Sequence, residues 1–159
     1  MPFDTTSREE RKPTVSENLI KARDLIALTG LWCKSAWSTT NIDRHASCMA
    51  DAVHIVLYGK GYCEYLEARD VDPYMWEHKG RHDRELDEQP EIRFLGRALI
   101  EMGNTWLTTY SSTERVVKFN DHEHTRHHHV MAVFDCAIAL AKCREAENAK
   151  RELASVTFR

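Results

Sequence analysis

The sequence predicts a mainly α-helical fold, a compact single-domain helical bundle with at most a small β-hairpin. Three observations predict it. Four segments place apolar residues at a 3.6-residue period. Glycines at 30, 59 and 103 follow three of them as stop signals. Only two short runs, Trp106–Tyr110 and Val116–Phe119, read as extended, and a hairpin through Ser111-Ser112-Thr113 would join them.

Residues 1–14 read as a polar N-terminal arm ahead of a helical domain at 15–153, with 154–159 left as a C-terminal tail. The first helix starts at a capping-box pattern, Thr14 followed three residues later by Glu17. Leu19, Ala22 and Ile26, with Ile20, Leu25 and Leu28 as companions, give its face, and Gly30 is expected at the C′ position. Leu31 to Asn41, with Trp32, Cys33 and Trp37, reads as an ordered loop. A second helix is expected from about Arg44 to Tyr58, stopped by Gly59, with a centre apolar enough to be buried. A short helix near Tyr62, Tyr65 and Leu66 ends before Asp72-Pro73.

Residues 77–89 read as a charged, solvated connection, since eight of the twelve residues from Glu77 to Glu88 are charged. Pro90 suits the first turn of the next helix, whose face is Ile92, Leu95, Ala98, Leu99 and Met102. The last helix is expected from Thr125, as N-cap, to about residue 152. Val130, Phe134, Ala137 and Ala141 trace its buried face, and Met131 and Leu140 widen it.

Composition bounds the function. With 42% hydrophobic and 30% charged residues, the 159-residue chain is globular and not a disordered tail. No apolar run approaches the roughly 20 residues of a membrane span, and the N-terminus lacks the apolar core of a signal peptide. The five cysteines, an odd number, suggest reduced thiols and a cytoplasmic location. The net charge of −3 gives no general drive toward nucleic acid.

Chemistry-bearing residues concentrate before the last helix, where His122, His124, His127, His128 and His129 follow Asn120-Asp121. If the helix reaches back far enough, His124 and His128 share a face and can approach one metal ion. Position 125 is Thr, so no HExxH signature exists here. The expectation is therefore a polar, solvated helix start with His127 exposed and no cofactor. The alternative is a zinc site of His124 and His128 with Asp121 as ligand or orienting carboxylate. His78 and His82 form a second i,i+4 pair, and Cys33, His45 and Cys48 a sparse thiol–imidazole set. Both are expected to be structural, Cys48 as a small core residue. No P-loop, GxSxG or GxGxxG is present.

Four places carry a resemblance: Ala22–Ile26 with the Gly30-Leu31-Trp32-Cys33-Lys34 turn, Cys48 with the small residues after it, Phe119-Asn120-Asp121, and Val130–Ala141. Across residues 18 to 142 the chain resembles a family of small bacterial and bacteriophage proteins sharing a domain of unknown function. The resemblance implies an intracellular helical domain and brings no activity with it. It singles out Asn120 and Asp121, which set a turn on one reading and form a site with His124, His128 and Trp32 on another. The functional expectation is a non-enzymatic protein-interaction or modulator protein, phage-encoded on one reading, with an unidentified protein partner. The alternatives are a metal-binding protein or metal-dependent enzyme, and a structural subunit that forms a homo-oligomer.

Overall fold

The computed structural model describes residues 11–34, 47–69 and 84–157. The expectations placed on Trp37, on the helix start at Arg44, and on His45, Asp72-Pro73, His78 and His82 lie outside them. Within the described residues the fold is mainly helical: α1 Val15–Leu25, α2 Met49–Tyr58, α3 Tyr62–Glu67, α4 Pro90–Glu101, α5 Ser112–Asp121 and α6 His127–Thr157. No sheet forms among them, and the extended pairing consists of one isolated parallel bridge, Trp32 to Ser47.

The helix starts follow local chemistry. Thr14 and Glu17 complete the expected capping box. Glu145 of α6 adds to it, taking hydrogen bonds from the backbone N–H (2.9 Å) and hydroxyl (2.8 Å) of Ser16. A carboxylate at this end also suits the positive pole of α1. Cys48 caps α2 through its sulfur, which accepts from Asp51 N–H at 3.4 Å. Pro90 occupies the first turn of α4, and Gly59 and Gly103 close their helices at φ 74° and 90°, where a Cβ would be strained. Gly30 does not do this job. It lies in a 3-10 turn, Thr29–Leu31, and α1 ends earlier at its cap Ile26.

α6 packs against α1 and α4, and α4 against α5, while α2 lies on α1. The anticipated stripe of α6 is inside, with Val130, Val133, Phe134, Ala137 and Ala141 fully covered. They meet Leu19, Ala22 and Ile26 of α1 and Ile92, Leu95 and Leu99 of α4 in one core. Each large aliphatic or aromatic side chain buried there contributes roughly 1.5–3 kcal/mol. Gly96 sets the approach of α4 to α5, since a Cβ there would come within 2.9 Å of Ser112 Cβ.

Three expectations are corrected. There is no hairpin at 106–119: Thr105–Leu107 is a 3-10 turn and Val116–Phe119 lies inside α5. The reason is local, because Ser111 and Glu114 form a second capping box that starts a helix there. Thr113, Val116 and Asn120 then fall on one buried face at helical spacing. The charged connection is not solvated throughout, because Leu86 is fully buried and Asp87 accepts from Thr113 N–H at 2.8 Å. Finally, α6 continues through Thr157, so residues 154–157 are helix and not tail.

A candidate site at the corner between α5 and α6

Asn120 is the best-connected polar residue of the corner. It is 1% exposed on the last turn of α5. Its Oδ1 accepts from Trp32 Nε1–H at 2.8 Å and from Met49 N–H at 3.3 Å. Its Nδ2 donates to Cys33 C=O at 3.1 Å and to Asp121 Oδ1 at 2.9 Å. This arrangement continues the parallel bridge. Ser47 N–H donates to Leu31 C=O and Cys33 N–H to Ser47 C=O. The next rung of a parallel ladder would run from Met49 N–H to Cys33 C=O. The Asn120 carboxamide stands in that rung instead, accepting from one chain and donating to the other. The Trp-Cys turn, the start of α2 and the end of α5 are thereby tied by one side chain.

The carbonyls at the C-terminal end of α5 are closed as well. Thr125 Oγ1 donates to Phe119 C=O at 2.7 Å, and Lys34 Nζ donates to the carbonyls of His122 (2.7 Å) and Glu123 (3.1 Å). Thr125 is therefore not the N-cap of α6. It closes the preceding helix, and α6 begins two residues later at His127. His124 precedes the helix, so it does not share a helical face with His128. His127 is half-buried, not exposed. Its Nε2–H donates to Ile26 C=O at 2.7 Å, joining the end of α1 to the start of α6.

The remaining histidines open outward. His122, His124, His128 and His129 line a groove of about 380 Å³ with Met102, Trp106, Phe119 and Ala132. Met102 is 43% and Trp106 48% exposed, although both are large and apolar. The Trp106 and His122 rings lie 5.3 Å apart and the His128 and His129 rings 4.0 Å apart. Two of the imidazoles are fixed by the backbone. His124 N–H donates to His122 Nδ1 at 3.3 Å, and Arg126 N–H donates to His129 Nδ1 at 3.1 Å. A ring nitrogen that accepts carries no proton, so the neutral form of each ring that keeps this bond holds its proton on Nε2. His129 also has its pKa lowered, by desolvation first and then by the fields of His128 and Arg126.

Of the residues singled out from sequence, Asn120, Asp121 and Trp32 meet at the clip, while His124 and His128 both line the groove. Asp121 reaches the clip through its contact with Asn120. Among the described residues, no three His, Cys, Asp or Glu side chains are gathered to hold a metal ion. The set Asp121, His124 and His128 is thus not assembled as a ligand cluster. The thiols nearby are not poised as nucleophiles. Burial, with help from the Asp51 and Asp121 carboxylates, pushes Cys33 up to about 11. Burial pushes Cys48 further still. Sequence reasoning misses Met102 because it assigns that residue to the buried face of α4, where it is instead the exposed C-cap, and misses Trp106 because it takes the stretch from there as extended.

A family model matches residues 10–140. The chain belongs to that family, a family of unknown function designated DUF6197. The matched region holds the clip, the groove and the buried stripe of α6 from Val130 to Ala137. The DUF6197 match stops at residue 140, whereas α6 runs on to Thr157. No curated protein and no solved structure matches the chain. No helix of the described residues is long and apolar enough to cross a membrane.

Proposed function

We propose that this DUF6197 protein is a non-enzymatic interaction protein of the cytoplasm, of bacterial or bacteriophage origin, and that the histidine-lined groove is where a partner protein docks. One observation carries the reading. Exposed Trp106 and Met102 stand in one groove with four imidazoles, two of which the backbone fixes at Nδ1. Aromatic and Met side chains with a few fixed polar groups are the composition of interface centres. The thiols of Cys33 and Cys48, held protonated, support no nucleophilic step.

The test is site-specific photocrosslinking in the native host. A benzophenone amino acid replaces Ala132 in the groove, or Lys21 on the outer surface of α1 as the control. The expected result is one discrete adduct from position 132 that Trp106→Ala removes. Identical adducts from both positions, or none from position 132, would contradict the reading.

A second reading, a subunit that assembles with copies of itself, is favoured by the distal part of α6. Ala146, Ala149, Leu153 and Val156 follow 3-4-3 spacing, with Leu153 71% and Val156 74% exposed. That is the pattern of a two-stranded seam. Sedimentation of the full chain against Leu153→Glu decides it: a dimer lost in the variant supports assembly, and a monomer throughout removes it.

A further inference from the structure

We propose that the distal part of α6 pairs antiparallel with the same segment of a second copy of this chain, about a two-fold axis level with Arg151. Ala146 and Ala149 of each copy then face Val156 and Leu153 of the other. This rests on the reading of the protein as a subunit that assembles with copies of itself, and gives that assembly its surface and its direction.

The first argument is where the bundle stops. Ala141 is fully covered, and Glu145 still accepts from the N–H and hydroxyl of Ser16 at the start of α1. From Ala146 to Val156 every residue is exposed. The helix nevertheless continues through Thr157, which makes a tip about 18 Å long. Because the tip propagates from a packed helix, it has no nucleation cost of its own.

The second argument is the pattern on the tip. Ala146, Ala149, Leu153 and Val156 keep one face, with Leu153 and Val156 strongly exposed. At about 100° per residue, this seam points roughly 110° around the helix from the Val130–Ala141 stripe. It is therefore a second apolar face and not the core face running on. Arg144, Glu147 and Arg151 lie on the opposite side, and Arg144 pairs with Glu147 at 3.4 Å.

The third argument fixes the occupant and the direction. The seam is small at its first two positions and large at its last two. Reversed on itself, it sets a small side chain against a large one in every layer, which keeps the two helices evenly spaced. The same patch serves both copies, as a two-fold interface requires. The length also fits, because Thr157 comes level with Glu145 of the second copy, where the bundle begins. A parallel pair stacks alanine on alanine next to leucine on leucine. It also brings Lys142, the next residue back on the seam face, onto its own copy. The flanking pair that would favour it, Glu145 with Lys150, uses a carboxylate that Ser16 already engages. The antiparallel pair sets Lys150 and Glu152 beside their own copies, but exposed charge pairs contribute little, and packing decides. Four side chains per copy cover less than the about 1,200 Å² of a standard interface, so the dimer is weak and concentration-dependent.

The experiment uses the full chain carrying Cys143→Ser, which removes the exposed thiol. Ala146→Cys and Val156→Cys variants are mixed in equal amounts in a glutathione redox buffer, and the disulfide-linked dimers are resolved by mass spectrometry. The mixed 146–156 dimer is expected to exceed either same-residue dimer at least about fivefold, since a disulfide needs its two Cα atoms within reach. Sedimentation of the unmodified chain should show association toward the upper end of about 1–500 µM, weakened at least about tenfold by Leu153→Glu. Same-residue dimers in excess would overturn the antiparallel pairing and, with the dimer lost in Leu153→Glu, leave self-assembly standing. A dimer that Leu153→Glu does not weaken would place the interface elsewhere and overturn the seam. A monomer at every concentration would overturn the proposal and the assembly reading together.

Discussion

At Asn120 every polar atom of the side chain has a protein partner, and the residue is almost wholly buried. Two residues later, at His122, the one ring nitrogen with a partner uses it to fix the other, and the ring faces a groove. Both regions sit at the end of α5 and both use side-chain nitrogen and oxygen. They differ in what satisfies those atoms. The clip closes on itself, which makes it stabilising and silent. The corner is held by its own backbone and leaves its rings, with Trp106 and Met102, lining an open groove. Polar residue type alone therefore does not mark a site; the accounting of hydrogen-bond partners does.

That comparison can be broken by mutation, and the expected effects fall in order. Phe134→Ala sets the scale of the core. Phe134 is fully buried in α6, and its truncation should cost roughly 3–5 kcal/mol in denaturant melts. Asn120→Ala comes next, at roughly 2–4 kcal/mol. It leaves Trp32 Nε1–H, Met49 N–H and Cys33 C=O without the partner they share, and buried unmade bonds are costly. A loss under about 1 kcal/mol would mean that water replaces the carboxamide and the clip is not a clip.

His127→Ala should cost about 1 kcal/mol, since it uncovers the Ile26 carbonyl at the end of α1. Trp106→Ala should change stability by less than about 0.5 kcal/mol, as an exposed substitution does. A large loss of stability there would place Trp106 in the core and remove the contrast.

Asp51 gives a test of sign. It is fully buried with Oδ2 unpartnered, while Oδ1 accepts from Tyr62 N–H at 2.8 Å. Burial raises its pKa against the pull of that N–H and of the Ser47 hydroxyl. The unfolded carboxyl, at about 3.9, ionises before the folded one. Stability is therefore lost as pH rises through the unfolded pKa toward the raised folded one. Asp51→Asn keeps an acceptor for Tyr62 and should flatten that part of the pH–stability curve, with its gain largest near neutral pH. An unchanged curve would show that Asp51 is already matched by a proton donor.

Much of the bundle was legible because it depends on local signals. The Thr14/Glu17 box, Pro90, Gly59, Gly103 and the periodic stripe from Val130 to Ala141 act within a few residues of themselves. The error at 106–119 was also local. Ser111 and Glu114 repeat the pattern of Thr14 and Glu17, and a hairpin turn placed on Ser111-Ser112-Thr113 overlooks it. Buried packing of Val116 against the core, and not intrinsic propensity, decides that segment. Thr125 misled differently. A threonine before an apolar stripe can cap the helix that follows or close the one that precedes, and only the fold says which.

The site was partly legible. Asn120, Trp32 and the histidines were singled out together, but sequence could not say that they divide into a closed set and an open one. Asn120 meets Trp32 across 88 residues of chain, a contact no spacing rule encodes. Met102 and Trp106 became candidates only once exposure was known, because a large apolar residue in sequence is presumed to lie inside.

The central claim is that backbone donors lock His122 and His129, two of the rings that line the groove, with their protons on Nε2. Long-range proton–nitrogen correlation spectra of the imidazoles in the free protein test it directly. At a pH where the rings are neutral, both should show the Nε2–H tautomer, with Nδ1 at the shift of an accepting nitrogen. Nδ1–H tautomers at either ring, or rapid averaging equal to that of an exposed histidine, would contradict the account.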